Sequence, residues 1–151
     1  MSKKTESVTD YMAKKLITFS PEMDVREATK VLLEKRISGA PVTDKSGKLI
    51  GMLSEKDCIQ LIVSGNYNQH PSGVGTVEDY MSKDVTAIKS STTIDEVAYR
   101  FVNSHFRRFP VVKDGTLVGQ ISRRDVLRAI DKRRPKVKHV PSSWKPRMPT
   151  A

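Results

Sequence analysis

Short apolar runs alternate along this chain with longer stretches in which apolar residues recur every three or four positions. Residues 16–19 and 85–88 are apolar runs, each long enough for one strand. A helical pattern follows each of them. Val25, Ala28, Leu32 and Leu33 share one face, as do Ile94, Val97, Ala98, Phe101 and Val102. Thr93, with Glu96 three residues on, predicts a capping box for the second of these helices. Next come residues 40–43 and 109–112, a glycine-containing turn, then residues 49–53 and 116–121. Two strand runs joined so closely read as a β-hairpin. A closing helix begins near Ser54 or Ser122 and runs to about Val63 or Ile130.

The pattern occurs twice because the chain is duplicated. Val8-Thr9-Asp10-Tyr11-Met12 recurs as Val77-Glu78-Asp79-Tyr80-Met81, a shift of 69. Val25 matches Ile94, Glu27 matches Glu96, and Pro41-Val42 matches Pro110-Val111 at the same shift. Asp44-Lys45-Ser46-Gly47 becomes the shorter Lys113-Asp114-Gly115, after which the shift is 68. Gly51-Met52-Leu53-Ser54-Glu55-Lys56-Asp57 then meets Gly119-Gln120-Ile121-Ser122-Arg123-Arg124-Asp125. A length change confined to a turn is one a duplicated fold absorbs easily. The fold class read from this is α+β, with two βαββα repeats packed about a pseudo-twofold, because one small unit cannot cover both faces of its own sheet. The expected boundaries are repeat 1 over 8–64, a polar linker over 65–76, repeat 2 over 77–131, and a tail over 132–151. Pro135, Pro141, Pro146 and Pro149 keep that tail from being a regular helix or a central strand.

Composition changes this picture mainly at the tail. The apolar fraction of 37% and charged fraction of 29% suit a globular protein with polar extensions. Seven Lys or Arg and no acid fall within residues 132–151, leaving +3 of the net +10 for the first 131 residues. The basic run Lys132-Arg133-Arg134-Pro135-Lys136-Val137-Lys138-His139, with Trp144 available for stacking, offers an alternative function as a binder of nucleic acid or an acidic partner. No apolar run approaches the roughly 20 residues that span a bilayer, and Met1-Ser2-Lys3-Lys4-Thr5-Glu6 lacks a signal peptide's apolar segment. A cytoplasmic location without membrane attachment is expected. A lone cysteine, Cys58, excludes an internal disulfide and is read as a small buried hydrophobe. His70, His105 and His139 show no metal-ligand spacing, and no nucleophile elbow or phosphate loop appears, so no catalytic residue or metal site is expected.

The ordered, duplicated motifs resemble a tandem pair of CBS domains over about residues 8–131: the Asp-Tyr-Met lead-in, the Pro-Val after the first helix, and Gly-x-x-Ser-x-x-Asp closing each copy. The resemblance implies a regulatory module that binds AMP, ADP, ATP or S-adenosylmethionine between the repeats, requires no cofactor, acts on a partner protein in trans, and associates as a homodimer. Ser54/Asp57 and Ser122/Asp125 carry two readings. A serine N-cap with an acid three residues later is a capping arrangement worth around 1 kcal/mol with no ligand at all. A carboxylate in a first helical turn also accepts two hydrogen bonds from a ribose, beside free amides and a dipole that favour an anion. In the resembling family the aspartate is the ribose ligand. Gly51 and Gly119 are then expected to let the backbone approach that ligand.

The resemblance further marks Ser38 in repeat 1 and Arg107 in repeat 2 as lining the clefts. Arg107 and Arg108 follow His105-Phe106 on one wall, and arginine forks match phosphate oxygens. Arg36, Lys56, Arg123 and Arg124 are secondary candidates. By family position Thr18, Ala87, Ala40 and Phe109 form the adenine walls, with Ser82 a further contact. The implied crossing of repeats pairs Asp57 with Arg107 and Asp125 with Ser38. The two sites are expected to be unequal, with a phosphate-bearing ligand preferring the cleft that contains Arg107.

Overall fold

The computed structural model describes residues 6–63 and 75–133. The predicted tail from Arg134 onward and most of the predicted linker lie outside the described residues, and with them the tail-based alternative function.

Repeat 1 consists of α1 (Val25–Lys35), β1 (Gly39–Thr43), β2 (Leu49–Ser54) and α2 (Glu55–Val63). Repeat 2 adds a single helical turn, α3 (Val77–Tyr80), then β3 (Ile88–Lys89), α4 (Ile94–Val102), β4 (Arg108–Lys113), β5 (Thr116–Ser122) and α5 (Arg123–Lys132). Asp24 caps α1 by accepting from the Arg26 amide at 2.8 Å, and Thr93 Oγ1 accepts from the Glu96 amide at 3.2 Å at the start of α4. Each predicted hairpin is present: β1 pairs antiparallel with β2, and β4 with β5. Both break register at one matching place, Val42/Thr43 and Val111/Val112. The β4–β5 connection is Asp114-Gly115 with φ of 51° and 81°, the pair of left-handed residues that a two-residue turn between right-twisted strands requires.

The expected first strands are much reduced. Residues 16–19 contribute one parallel bridge, Phe19 to Val42, in place of a strand. Residues 85–88 give only Ile88–Lys89, parallel to β4. An apolar run is enough to bury Phe19 and Ile88, which are 2% and 1% exposed, without a long ladder.

Two cores result. Phe19, Val25, Ala28, Leu32, Val42, Leu53 and Leu61 build the first, and Ile88, Ile94, Val97, Phe101, Phe109, Val111 and Ile121 the second. Cys58 belongs to the first core, and burial pushes its thiol pKa up, as suits a packed hydrophobe.

The lead-in segments are exchanged between the repeats. Val8, which opens repeat 1, is fully buried in the second core, with Tyr11 and Met12 packed beside it. Val77, which opens repeat 2, is buried in the first, with Tyr80 and Met81. The backbone bonds repeat the exchange. Val8 donates to Thr92 at 3.0 Å and Val77 to Met23 at 2.8 Å. Ala13 and Gln120 bond reciprocally at 2.9 Å along one edge of β5, and Ser82 and Met52 do so along β2, also at 2.9 Å. Each repeat therefore completes its sheet edge and its core with backbone from the other.

Candidate functional site

The β5–α5 junction builds the site. Ser122 leaves the strand with extended backbone, and its hydroxyl accepts the Asp125 amide at 3.2 Å. Asp125 Oδ2 in turn accepts the Ser122 amide at 2.8 Å, which closes a capping box. The first free amide of α5, on Arg123, donates to the carbonyl of Arg107 at 3.0 Å. That bond, with the pairing of Arg108 opposite Ser122, brings residues 107 and 108 to the helix start. Repeat 1 has the same construction. Ser54 and Asp57 form the box at 2.8 and 3.2 Å, and the Glu55 amide donates to the Ser38 carbonyl at 2.9 Å.

Around the second junction lies a cleft of about 440 Å³, lined by Ala13, Arg107, Arg108, Gln120, Ser122, Arg123, Arg124 and Asp125. Its volume falls in the range of small-ligand sites. Four guanidinium-bearing residues surround one acid, so the cleft favours an anion. The Arg123 side chain is partly committed, since its Nε donates to the Phe106 carbonyl at 2.9 Å. Asp125 is 7% exposed, and its Oδ1 is paired with Arg128 Nη2. Gln120 was not anticipated from sequence; its Nε2 is buried and has no hydrogen-bond partner, although it lines the cleft. A buried amide donor without a partner is costly unless a ligand or water completes it. Its counterpart in repeat 1 is the apolar Met52, so the repeated pattern gave no signal for it.

Four of the expected residues, Arg107, Arg108, Ser122 and Asp125, meet in this one cleft, joined by the secondary candidates Arg123 and Arg124. Arg36 and Lys56 are exposed and lie elsewhere. The crossed pairing is not seen in this cleft. Arg107 lies with Asp125, and Ser38 touches the start of the helix that carries Asp57. The reason is local: hairpin register ties the residue before each second strand to the helix that leaves the hairpin. Ala40 and Phe109, each 1% exposed, turn their side chains into the two cores. Phe109 packs on Phe101 at 4.7 Å and on Phe106 at 5.3 Å, so only its backbone is left for a ligand. Thr18 and Ser82 are exposed, Ala87 is half-buried, and none of the three lines the cleft.

Gly51 and Gly119 also differ from expectation. A methyl on Gly119 would stand 2.5 Å from Met12 Sδ and 2.8 Å from the Ala13 carbonyl, and one on Gly51 2.5 Å from Met81 Sδ. These glycines make room for the exchanged lead-in segments, and no ligand is needed to explain them. The Ser-x-x-Asp box is likewise not diagnostic alone. Ser7 donates its amide to Asp10 at 3.0 Å, and Thr76 to Asp79 at 2.9 Å, merely capping single turns. What distinguishes Ser122/Asp125 is the arginine-lined cleft beside it.

Fold, duplication and site together define a tandem βαββα module. The chain belongs to the CBS domain family, whose model matches residues 8–64 and again 77–132. It is 30% identical to MJ1225 of Methanocaldococcus jannaschii over 83% of this chain, which spans only 43% of that protein. It is 31% identical to the chloroplastic CBS domain-containing protein CBSX1 of Arabidopsis thaliana, over 82% of this chain and 63% of that one. Among solved structures it resembles Arabidopsis CBSX2 in complex with AMP, with a TM-score of 0.72 at 30% identity, covering 85% of this chain and 99% of that chain. It also resembles the CBS pair of MJ0100 in complex with 5′-methylthioadenosine and S-adenosylmethionine, with a TM-score of 0.65 at 26% identity, covering 82% and 98%. Among the described residues no helix is long and apolar enough to cross a membrane.

Proposed function

We propose that this chain is an adenine-nucleotide-binding regulatory module that acts on a partner protein in trans, without catalysis of its own. The observation that carries the reading is the cleft at Ser122/Asp125, where a carboxylate, a helix start and four arginines line one cavity. A ribose hydroxyl pair is served by Asp125, a phosphate by Arg107, Arg108 and Arg124, and a base acceptor atom by the unpartnered Gln120 amide. AMP in CBSX2 and S-adenosylmethionine in the MJ0100 pair support an adenosine ligand. The arginines favour AMP, ADP or ATP over the cationic S-adenosylmethionine in this cleft. The repeat 1 junction, with Ser38, Glu55, Lys56 and Asp57 at the matching positions, is closer to neutral and is the weaker site for a phosphate.

The functional unit is a homodimer on this reading, supported by two apolar helical faces. Leu33, Ile59, Ile62 and Val63 are 59–73% exposed on α1 and α2, and Tyr99, Val102, Leu127 and Ile130 are 56–83% exposed on α4 and α5. The module is placed in the cytoplasm, and its repeats over 8–64 and 77–131. Calorimetric titration of AMP, ADP, ATP and S-adenosylmethionine into the full chain tests the function. Binding that weakens in Asp125→Ala is the expected result; no heat for any of the four ligands overturns the reading.

A further inference from the structure

Asp125 and Asp57 occupy matching positions but are not chemically equivalent. Asp125 has a side chain 9% exposed, and both of its oxygens are engaged. Oδ2 accepts the Ser122 amide at 2.8 Å, and Oδ1 takes the guanidinium of Arg128. The same Arg128 Nη2 lies 3.4 Å from the carbonyl of Tyr11, in the lead-in segment exchanged from the other end of the chain. At Asp57 the box bonds from Ser54 both end on Oδ2, and among the described residues no Lys or Arg pairs with the carboxylate. Gln60 stands where repeat 2 has Arg128.

We propose that Arg128 is a specificity-determining residue of the second cleft: it occupies the carboxylate oxygen that a ribose would use, so that this cleft reads a ligand's phosphate more strongly than its ribose. The inference rests on the cleft being a nucleotide site. A vicinal diol donates one hydrogen bond to each carboxylate oxygen, and at Asp125 it must take Oδ1 from Arg128 or share it. The Arg128 side chain is 61% exposed, so its pair with Asp125 is displaceable rather than locked. The cost of displacing it falls only on ligands that use both hydroxyls. A 2′-deoxy ligand, which offers one hydroxyl fewer, escapes most of it. Removing Arg128 therefore increases discrimination between ribose and deoxyribose, whereas long-range attraction to phosphate and any loss of stability act on both ligands alike.

The test uses AMP and 2′-deoxy-AMP, titrated by calorimetry into the full chain carrying Asp57→Ala, which isolates the second cleft, with and without Arg128→Gln. The ratio of AMP to 2′-deoxy-AMP affinity is expected to rise about two- to fivefold on Arg128→Gln, the scale of a largely exposed ion pair. Arg128→Lys, which keeps the charge but loses the fork, is expected to give a smaller rise and supplies the reading should Arg128→Gln not fold. An unchanged or lower ratio, with AMP still bound, overturns the role of Arg128 and leaves the nucleotide reading standing. AMP binding in the unaltered chain that vanishes in Asp57→Ala places the site at the first cleft and overturns the inference. No AMP binding in any variant overturns the nucleotide reading and this inference with it.

Discussion

Leu49 and Leu117 join the two hairpins across the pseudo-twofold: the Leu49 amide donates to the Gly115 carbonyl at 3.1 Å, and the Leu117 amide to the Gly47 carbonyl at 3.0 Å. The two turns differ in length by one residue, yet Lys48 still bridges its counterpart Thr116 between them. The shorter turn closes through Asp114-Gly115. The longer one is held by Asp44, whose carboxylate accepts the Ser46 and Lys48 amides at 2.9 and 3.0 Å. The insertion is absorbed before the contact, so the symmetry survives it. Together with the exchanged lead-in segments, this makes the two repeats one cooperative body.

Substituting Gly119 tests that body directly. Gly119→Ala is expected to destabilise the chain by roughly 1–3 kcal/mol, the usual range for overpacking, because the new methyl meets Met12 Sδ and the Ala13 carbonyl. Adding Met12→Ala relieves the flexible contact but not the backbone one, so rescue is partial. Chemical denaturation of the single and double variants measures both effects. Full stability in Gly119→Ala would mean that the lead-in segment does not dock there.

One hydrogen bond contributes to both the acid and the alkaline limb of stability. Glu6 is held below its usual range first by its hydrogen bond with Tyr11 and then by Arg133, whose Nε lies 3.3 Å from it. The same bond pushes the Tyr11 hydroxyl up. A lowered carboxylate pKa contributes stability that is present above the ordinary glutamate value of 4.5 and is lost as pH falls below it. A raised phenol pKa contributes stability that is present below the ordinary tyrosine value of 10.0 and is lost above it. Glu6→Gln is expected to flatten the acid limb, and Tyr11→Phe both limbs, with denaturation midpoints across the two pH windows as the measurement. Both groups are only half-buried and reached by solvent, so the changes are small.

Much of this architecture is legible in the sequence, and the exceptions have physical causes. Hairpins and helices follow from apolar spacing and from turn residues such as Asp114-Gly115, which act locally. The exchange of Val8 and Val77 is invisible to any repeat pattern, since a duplicated motif does not say which copy it docks on. The neighbourhood of Arg107 and Asp125 is recoverable from hairpin register, whereas the family's crossing pattern implies Arg107 with Asp57. Gln120 and Arg128 carry no signal in the repeat for a different reason: the copies differ there, with Met52 and Gln60 in repeat 1, and a duplicated pattern marks only what its copies share.

The apolar faces carry a prediction about assembly. Leu33 and Ile62 are each 73% exposed beside the groove between α1 and α2, which Leu32, Cys58 and Leu61 also line. Large apolar groups clustered at that exposure mark an interaction surface. Leu33→Asp with Ile62→Asp is expected to convert the homodimer to a monomer without unfolding it, because neither side chain contributes to the core. Light scattering after size exclusion reads the mass, and thermal unfolding checks the fold. A chain that is monomeric before substitution would remove the homodimer from the proposal.

Affinity for phosphate supplies the sharpest contrast between the clefts. Arg107 and Arg124 line the second cleft, and among the described residues neither side chain is tied to a carbonyl as Arg123 is to that of Phe106. A charge-assisted hydrogen bond is worth about 1.5–3 kcal/mol, so each of Arg107→Ala and Arg124→Ala is expected to weaken AMP binding there by roughly tenfold to a hundredfold. Adenosine, which has no phosphate, is expected to bind these variants about as well as the unaltered chain. Ser38→Ala, at the matching place in repeat 1, is expected to leave AMP binding at the second cleft unchanged, since Ser38 serves the other helix start through its backbone carbonyl. Titration of AMP and adenosine into the three variants decides the matter. Equal losses for both ligands would show the arginines acting on the fold of the cleft, and a loss confined to AMP would show them acting on the phosphate.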